Sequence, residues 1–403
     1  MNLEVSRVNK LTSRNSGTMN LSGYEDLGVS LLKKENSEVS KRSRYLNPNS
    51  TIWPMGYGLV TSVYKYKHKK RIVNHNQFDG LPEELMLYIF KMLDKPTLIK
   101  CAFVCKEWKR ITYDESLWHS LNIPCRRMSL MTLDNILRRN VRFLSISHSN
   151  IYVDNGHLFE TLLPKLQYLD VSAVYINVQI LNSLLNQCSN LVKLSLENCR
   201  LNQACCQNIE RNTKLKVLNL SSTRGLDICG LKSIISLKNL EELNVSWAQM
   251  SDDDVHFLIS NMIPTIKCLN ISGFLKQIAD YDLISLTRRC PQLIELDISD
   301  NLAITSDSLD CILQNQPNLK VLSMSRCYNV GVSFFQFNTL KVKIDNKLKE
   351  LNVFGLANQE IYSTISAHIA NMDVNKNMFS RIARPKPFDN RQTIWEIPVP
   401  IDC

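Results

Sequence analysis

Nine times between Val141 and Val353 the chain repeats a hexad of the form apolar-x-x-apolar-x-apolar. The hexads begin at Val141, Leu166, Leu191, Leu215, Leu240, Ile266, Leu293, Leu319 and Leu348, at intervals of 24 to 29 residues. The last two apolar residues of each unit, such as Leu218 and Leu220, alternate as on a short strand with two different faces. Between hexads runs an amphipathic stretch of roughly ten residues. Val255, Leu258 and Ile259 mark one such stretch, and Leu309, Ile312 and Leu313 another, at the spacing of a helix with one buried stripe. Ser251 and Thr305 stand where helix N-caps are expected. A unit of this size cannot bury its apolar face alone, so neighbours must stack. The pattern predicts an α/β solenoid with a parallel sheet inside, helices outside and a continuous leucine core. Interior leucines such as Leu218 are structural.

A different pattern holds upstream, from Phe78 to Leu121. Pro82 suits the first position of a helix, with Glu83 and Glu84 in the first turn where the helix dipole favours acids. Leu85, Ile89, Phe90 and Leu93 then recur at helical spacing. Asp94-Lys95-Pro96 breaks the run. A second helix is expected to carry Leu98, Cys101, Val104, Cys105 and Trp108, and a third segment Leu117 and Trp118. Three short helices with apolar residues on more than one face imply a docking module that completes its core on a partner. The plainer alternative is a three-helix bundle with Trp108 and Trp118 as core.

The expected organisation is an arm over 1–77, the helical module over 78–121, a linker over 122–140, the repeats over 141–355 and a tail over 356–403. The arm is rich in Ser, Asn and Lys, has no sustained period, and reads as largely disordered. It holds 13 Lys and Arg against 5 Asp and Glu, so it carries eight of the ten net positive charges of the 403-residue chain. The folded part is therefore not strongly basic, and nucleic acid is not an expected partner. Two basic clusters, Lys41-Arg42-Ser43-Arg44 and Lys65 to Arg71, have the form of nuclear-import signals or of a solvated tail. Arg44-Tyr45-Leu46 has the Arg-x-Leu form that docks on cyclins. A pattern so short occurs readily by chance, and a cyclin–CDK contact through the arm is carried only as a candidate.

No apolar run is long enough to span a membrane, and the N-terminal stretch lacks the apolar core of a secretory signal. Thirteen cysteines without framework spacing then read as reduced thiols. Nucleus and cytoplasm are the expected compartments. Cys101 and Cys105 lie one helical turn apart but have no partners at zinc spacing, and Cys188, Cys290 and Cys327 fall where Cys serves as a small apolar group. There is no phosphate loop, nucleophile elbow or arranged His–carboxylate pair, so no catalytic residue, metal or cofactor is expected. An enzyme ranks last among the readings.

Recognition is expected where residues depart from the repeat. Two places beyond each hexad the chain reads His148, Ala173, Asn198, Ser222, Trp247, Gly273, Asp300, Arg326 and Gly355, a row along one rim. Trp247, Asp300 and Arg326, with Tyr328 close by, have the composition of a protein-binding hot spot. The plainer alternatives are a Trp packed over neighbouring units and an Asp300–Arg326 surface ion pair. The tail lacks hexads but contains Phe379, Ile382, Ile394, Trp395 and Ile397, as expected of a segment that covers exposed solenoid surface.

The repeat interval lies in the leucine-rich-repeat range. Upstream, Leu81-Pro82, Leu85, Ile89, Leu93, Val104, Cys105, Trp108 and the DESLW of Asp114 to Trp118 resemble an F-box. That resemblance implies binding to the Skp adaptor of SCF ubiquitin ligases, and through it to a cullin and a RING protein. It assigns Leu81, Pro82, Leu85, Ile89, Phe90, Leu93, Val104, Trp108 and Trp118 to adaptor contact.

NVSWAQ around Trp247, RRCPQLIELDISDN from Arg288 to Asn301, LSMSRCYNV around Arg326, FSRIARP from Phe379 and QTIWEI from Gln392 are similar to the family of the S-phase kinase-associated F-box protein. The likeness is ortholog-like over most of 78–400. It implies recruitment of phosphorylated Kip-class CDK inhibitors with a Cks-class accessory protein, through Trp247, Lys276, Asp300, Arg326, Tyr328 and Phe379. Two positions depart from that family: Leu275 replaces an Arg, with Lys276 next to it, and Met378 replaces a His. An F-box receptor of Cks-independent specificity and a non-ligase repeat scaffold are the rival readings.

Overall fold

The computed structural model describes residues 77–153, 159, 161–275, 277–330, 348–356, 372–385 and 393–398. The basic arm, Lys276 and the rest of the tail lie outside the described residues.

The helical module begins with α1 (Glu83–Lys91), α2 (Lys95–Cys101) and α3 (Lys106–Thr112). Asp94-Lys95-Pro96 both ends α1 and starts α2, because Asp94 accepts the Thr97 N–H as N-cap and Pro96 sits in the first turn, where no N–H is needed. The single second helix expected from Leu98 to Trp108 is instead two. Cys105 takes an extended backbone and its Sγ accepts the Trp108 N–H, capping α3 anew. Met86 and Phe90 from α1, Leu98 and Ile99 from α2, and Ile111 from α3 are buried together with Leu117 and Trp118.

Eleven parallel strands then follow in sequence order in one sheet. They are β1 (Ser120–Asn122), β2 (Phe143–Ser145), β3 (Tyr168–Asp170), β4 (Lys193–Ser195), β5 (Val217–Asn219), β6 (Glu242–Asn244), β7 (Cys268–Asn270), β8 (Glu295–Asp297), β9 (Val321–Ser323), β10 (Glu350–Asn352) and β11 (Asp373–Val374). Nine of them, β2 to β10, are the nine hexads. β1 and β11 are additions at the two ends. Residues 122–140, expected as a linker, contain α4 (Leu130–Leu137), so β1 and α4 make a first repeat. The register places Leu121, Leu144, Leu169, Leu194 and Leu218 side by side along one buried row.

The outer layer consists of α5 (Val178–Asn186), α6 (Gln203–Glu210), α7 (Ile228–Ile235), α8 (Asp252–Ser260), α9 (Asp280–Arg289) and α10 (Ser306–Asn315). Ser251 and Thr305 cap α8 and α10, and Arg288 and Arg289 occupy the last turn of α9. The apolar residues of the helices face the sheet, and one core runs from Met86 through the solenoid to Met372. Cys188, Cys290 and Cys327 lie within that core, and burial pushes each thiol up to about 12.

The tail does not stop at the last repeat. After β11, Asn377 donates to Asn352 and Glu350 on β10. The chain then crosses the concave face, where the Ala383 N–H donates to Glu242 of β6 and Arg384 meets Glu197. The short strands β12 (Thr393–Ile394) and β13 (Ile397–Pro398) form a hairpin. Trp395 packs on Phe143 and Tyr168 of β2 and β3. Ile382, Ala383, Ile394 and Trp395 thereby form a second small core with Phe143 and Val217.

Candidate functional site

Three surfaces carry chemistry. The first is on the helical module. Helix α1 is apolar on two sides. Met86 and Phe90, four residues apart, face the core, while Leu85, Tyr88, Ile89 and Met92 form an exposed stripe at helical spacing. Leu81, Phe103 and Val104 are exposed as well. Leu93 and Trp108 are half-buried, and Pro82 is exposed. The Trp108 indole stands edge-on to both Phe78 and Phe90.

Two residues assigned to adaptor contact do not reach the surface. Phe90 is 1% exposed, on the inner side of α1. Trp118 is 4% exposed and donates its Nε1 proton to the Thr112 carbonyl at 2.7 Å, with the Arg139 guanidinium over its ring. It seals the joint between helical module and solenoid. Tyr88, Met92 and Phe103 were not in the expected set. Tyr88 and Met92 could have been read from the sequence, since they continue the Leu85 stripe by three and seven residues.

The second surface is the rim. His148, Ala173, Asn198, Ser222, Trp247, Gly273, Asp300, Arg326 and Gly355 all have positive φ, as does Cys125 in the first repeat. At this place each strand turns out of the sheet. The turn is held by amides that reach the next repeat: Trp247 N to Ser272 O at 2.9 Å, Asp300 N to Ser325 O at 2.8 Å, Arg326 N to Phe354 O at 2.9 Å. Glycine adopts this conformation without strain, whereas a bulky residue does so at a cost. Trp247 and Arg326 take that conformation at the same place in the repeat as His148, Ala173, Asn198 and Ser222.

Both large side chains lie over a glycine of the following repeat. A Cβ on Gly273 would overlap the Trp247 indole, and one on Gly355 would stand 3.2 Å from Arg326 Cγ and 3.7 Å from Tyr328 Oη. Arg326 donates through Nε and Nη2 to the two oxygens of Asp300, at 2.5 and 2.6 Å. The Asp300 carboxylate raises the guanidinium pKa further. Both plain alternatives for these residues are thus present in the geometry, yet Trp247 is 48% and Tyr328 61% exposed. Phe379 and Met378 are exposed just beyond Asn377, and Leu275 is exposed on the rim side of β7. Lys276 lies outside the described residues.

The third surface is the concave face. The third place of each hexad points here, and register aligns Glu242, Cys268, Glu295, Val321 and Glu350 across β6 to β10. Burial, with Glu350 and Asp297 adding like charge, pushes Glu295 up to about 7. Burial also raises Glu242 and Asp297. The fields of Arg381 and Arg384 act in the opposite direction, on Glu295 and Asp297 respectively. Among the described residues no His, Cys, Asp and Glu side chains group as a metal site, and no helix is long and apolar enough to cross a membrane.

Residues 131–401 match the family described as the SKP2 LRR domain, and residues 78–124 match the family described as F-box-like. The chain belongs to the F-box/leucine-rich-repeat family, with a repeat region of the SKP2 LRR domain family. F-box/LRR proteins are non-catalytic receptor subunits. This one is similar to the F-box protein SKIP19 of Arabidopsis thaliana, 22% identical over 62% of this chain and 70% of that one. It is also similar to the human F-box/LRR-repeat protein 12, 23% identical over 61% of this chain and 63% of that one. Among solved structures, an internalin C2 from Listeria monocytogenes aligns with 52% of this chain and 84% of its own at 20% identity, with a TM-score of 0.37.

Proposed function

We propose that this F-box/LRR protein is the substrate receptor of an SCF-type ubiquitin ligase. The observation that carries the reading is the exposed stripe Leu85, Tyr88, Ile89 and Met92, bordered by Leu81, Phe103 and Val104. A patch of this kind marks a partner surface. Its helical spacing fits a partner that packs against α1. An Skp adaptor seated there links the chain to a cullin and a RING protein, while the solenoid holds cargo. The receptor then acts by position, raising the effective concentration of cargo lysines near the charged conjugating enzyme. The test is capture of a purified Skp adaptor by the full chain. Capture that is lost in Leu85→Glu/Ile89→Glu, with the melting temperature kept, supports the reading. Failure of the wild-type chain to bind any Skp adaptor sinks it.

Which cargo the rim takes is a separate matter. The placement of Trp247, Arg326 and Tyr328 on one exposed rim favours a protein ligand. It supports a second, finer reading: capture of phosphorylated Kip-class CDK inhibitors with a Cks-class protein. Against it stand Leu275 and Met378, apolar and exposed where that reading expects an Arg and a His. The first choice is therefore a receptor whose specificity does not depend on Cks. Binding of a phosphothreonine inhibitor peptide with and without a Cks protein separates the two. Binding that requires Cks would overturn the first choice.

A further inference from the structure

The part of the tail from Ser380 to Pro385 lies on the sheet without pairing with any of its strands. It is held instead by side chains that read a peptide backbone. Asn244 donates its Nδ2 proton to the Ile382 carbonyl at 3.1 Å, and Glu242 accepts the Ala383 N–H at 3.3 Å. Around these two handles the concave face presents carboxylates: Glu197, Glu242, Glu295, Asp297 and Glu350. The tail answers them with Arg381 and Arg384, separated by the buried Ile382 and Ala383. Arg384 Nη1 is 3.4 Å from Glu197 Oε1. The match is one of charge and spacing on a preformed surface.

Ile382 and Ala383 are buried in one cluster with Phe143 and Val217, so the segment is held by packing as well as by these polar contacts. Two of its hydrogen bonds and the ion pair of Arg384 with Glu197 are 3.1 to 3.4 Å long. Rim ion pairing at Arg326, by comparison, is 2.5 to 2.6 Å. Ala383 takes a φ of 56°, a backbone state that residues with a side chain rarely adopt. Removing the tail would leave several carboxylates side by side on a face shaped for a chain with arginines.

We propose that the concave face from β4 to β10 is a docking groove for a peptide that makes a tight turn, with two arginines three residues apart flanking apolar residues, as Arg381 to Arg384 do. The Arg381–Arg384 segment is its resident, displaceable occupant. A partner with an Arg-apolar-apolar-Arg segment competes with the tail for Glu242, Asn244, Glu295 and Glu197. Its arginines neutralise the acidic row and its backbone takes the two handles. This inference is independent of the adaptor surface.

The probe is a fluorescent synthetic peptide of residues 377–388 (NMFSRIARPKPF), added to the full-length protein and followed by anisotropy. Two variants open the groove: Arg381→Glu/Arg384→Glu, which reverses the tail's charge, and Trp395→Ala, which removes its anchor on Phe143 and Tyr168. At least one folded variant is expected to bind the peptide ten-fold or more tighter than wild type does. Adding Glu242→Gln and Glu295→Gln should abolish that gain, and a probe with both arginines changed to Glu should not bind. Equal binding of the two probes, or no gain in either folded variant, would overturn the proposal. So would a concentration-dependent dimer of the variants, since the occupant would then be a second copy's tail. Skp-adaptor capture by the same variants monitors folding and the receptor reading separately.

Discussion

The indole of Trp247 lies across Gly273 of the next repeat, in the space a side chain there would fill. The glycine also holds a φ of 83°, which suits a residue without Cβ. Gly273→Ala should therefore cost about 1–3 kcal/mol from the backbone alone and lift the indole off the sheet. Chemical denaturation gives the first quantity and the Trp emission maximum the second. An unchanged spectrum would mean that the indole does not rest on this glycine.

Arg326 and Asp300 form a two-pronged pair, but the arginine side chain is 43% exposed. The Asp300 side chain, however, is only 12% exposed and loses its partner, so Arg326→Ala should cost about 1–3 kcal/mol. Cargo capture should be lost as well. A drop in melting temperature larger than that cost implies would instead make Arg326 part of the scaffold.

Ile89 and Phe90 are neighbours with opposite fates, the first 40% and the second 1% exposed. Phe90→Ala should cost about 3–5 kcal/mol as a core deletion. Ile89→Ala should stay within roughly 0.5 kcal/mol while weakening adaptor binding. Similar losses of stability at both positions would show that the stripe is already covered within the chain.

Glu295 has an ordinary value of 4.5 and is pushed up to about 7, chiefly by burial. Between those values the folded state holds a proton that the unfolded chain has released. Stability should therefore fall as pH rises from about 4.5 to 7, and level off above it. Glu295→Gln should flatten this slope and raise the melting temperature at pH 7.5. Thermal melts from pH 4.5 to 8 provide the check, and a parallel slope in the variant would assign the effect to other groups.

The hexads made the solenoid legible, since Leu144, Leu169 and their equivalents have no other way to be buried. β1 escaped notice although Trp118-His119-Ser120-Leu121-Asn122-Ile123 is a hexad with an aromatic in its first place. The DESLW motif had already given Trp118 to the helical module, and both assignments hold, because Trp118 is the joint. β11 has no hexad to find; only Val374 and the neighbouring Met372 reach the core, and polar Asp373 faces outward. The rim row was legible as a position, but not its left-handed backbone, because Trp, Arg and Asp hide what Gly273 and Gly355 reveal. Phe90 was misplaced because helical spacing marks apolar residues without saying which side faces inward. The path of the tail depends on Glu242 and Asn244, more than a hundred positions away in sequence, and no local pattern carries that information.

One apolar core joins Met86 in α1 to Met372 beside β11 without interruption. A hinge needs a gap in packing, and among the described residues none separates α1 from β11. Eleven strands at the usual spacing make a bracket about 50 Å long, with a fixed reach and a fixed angle between its ends. Whatever is clamped at the far end is offered at one distance only. Lengthening the bracket by a single repeat would move it by about 5 Å and turn it, exposing a different set of its lysines.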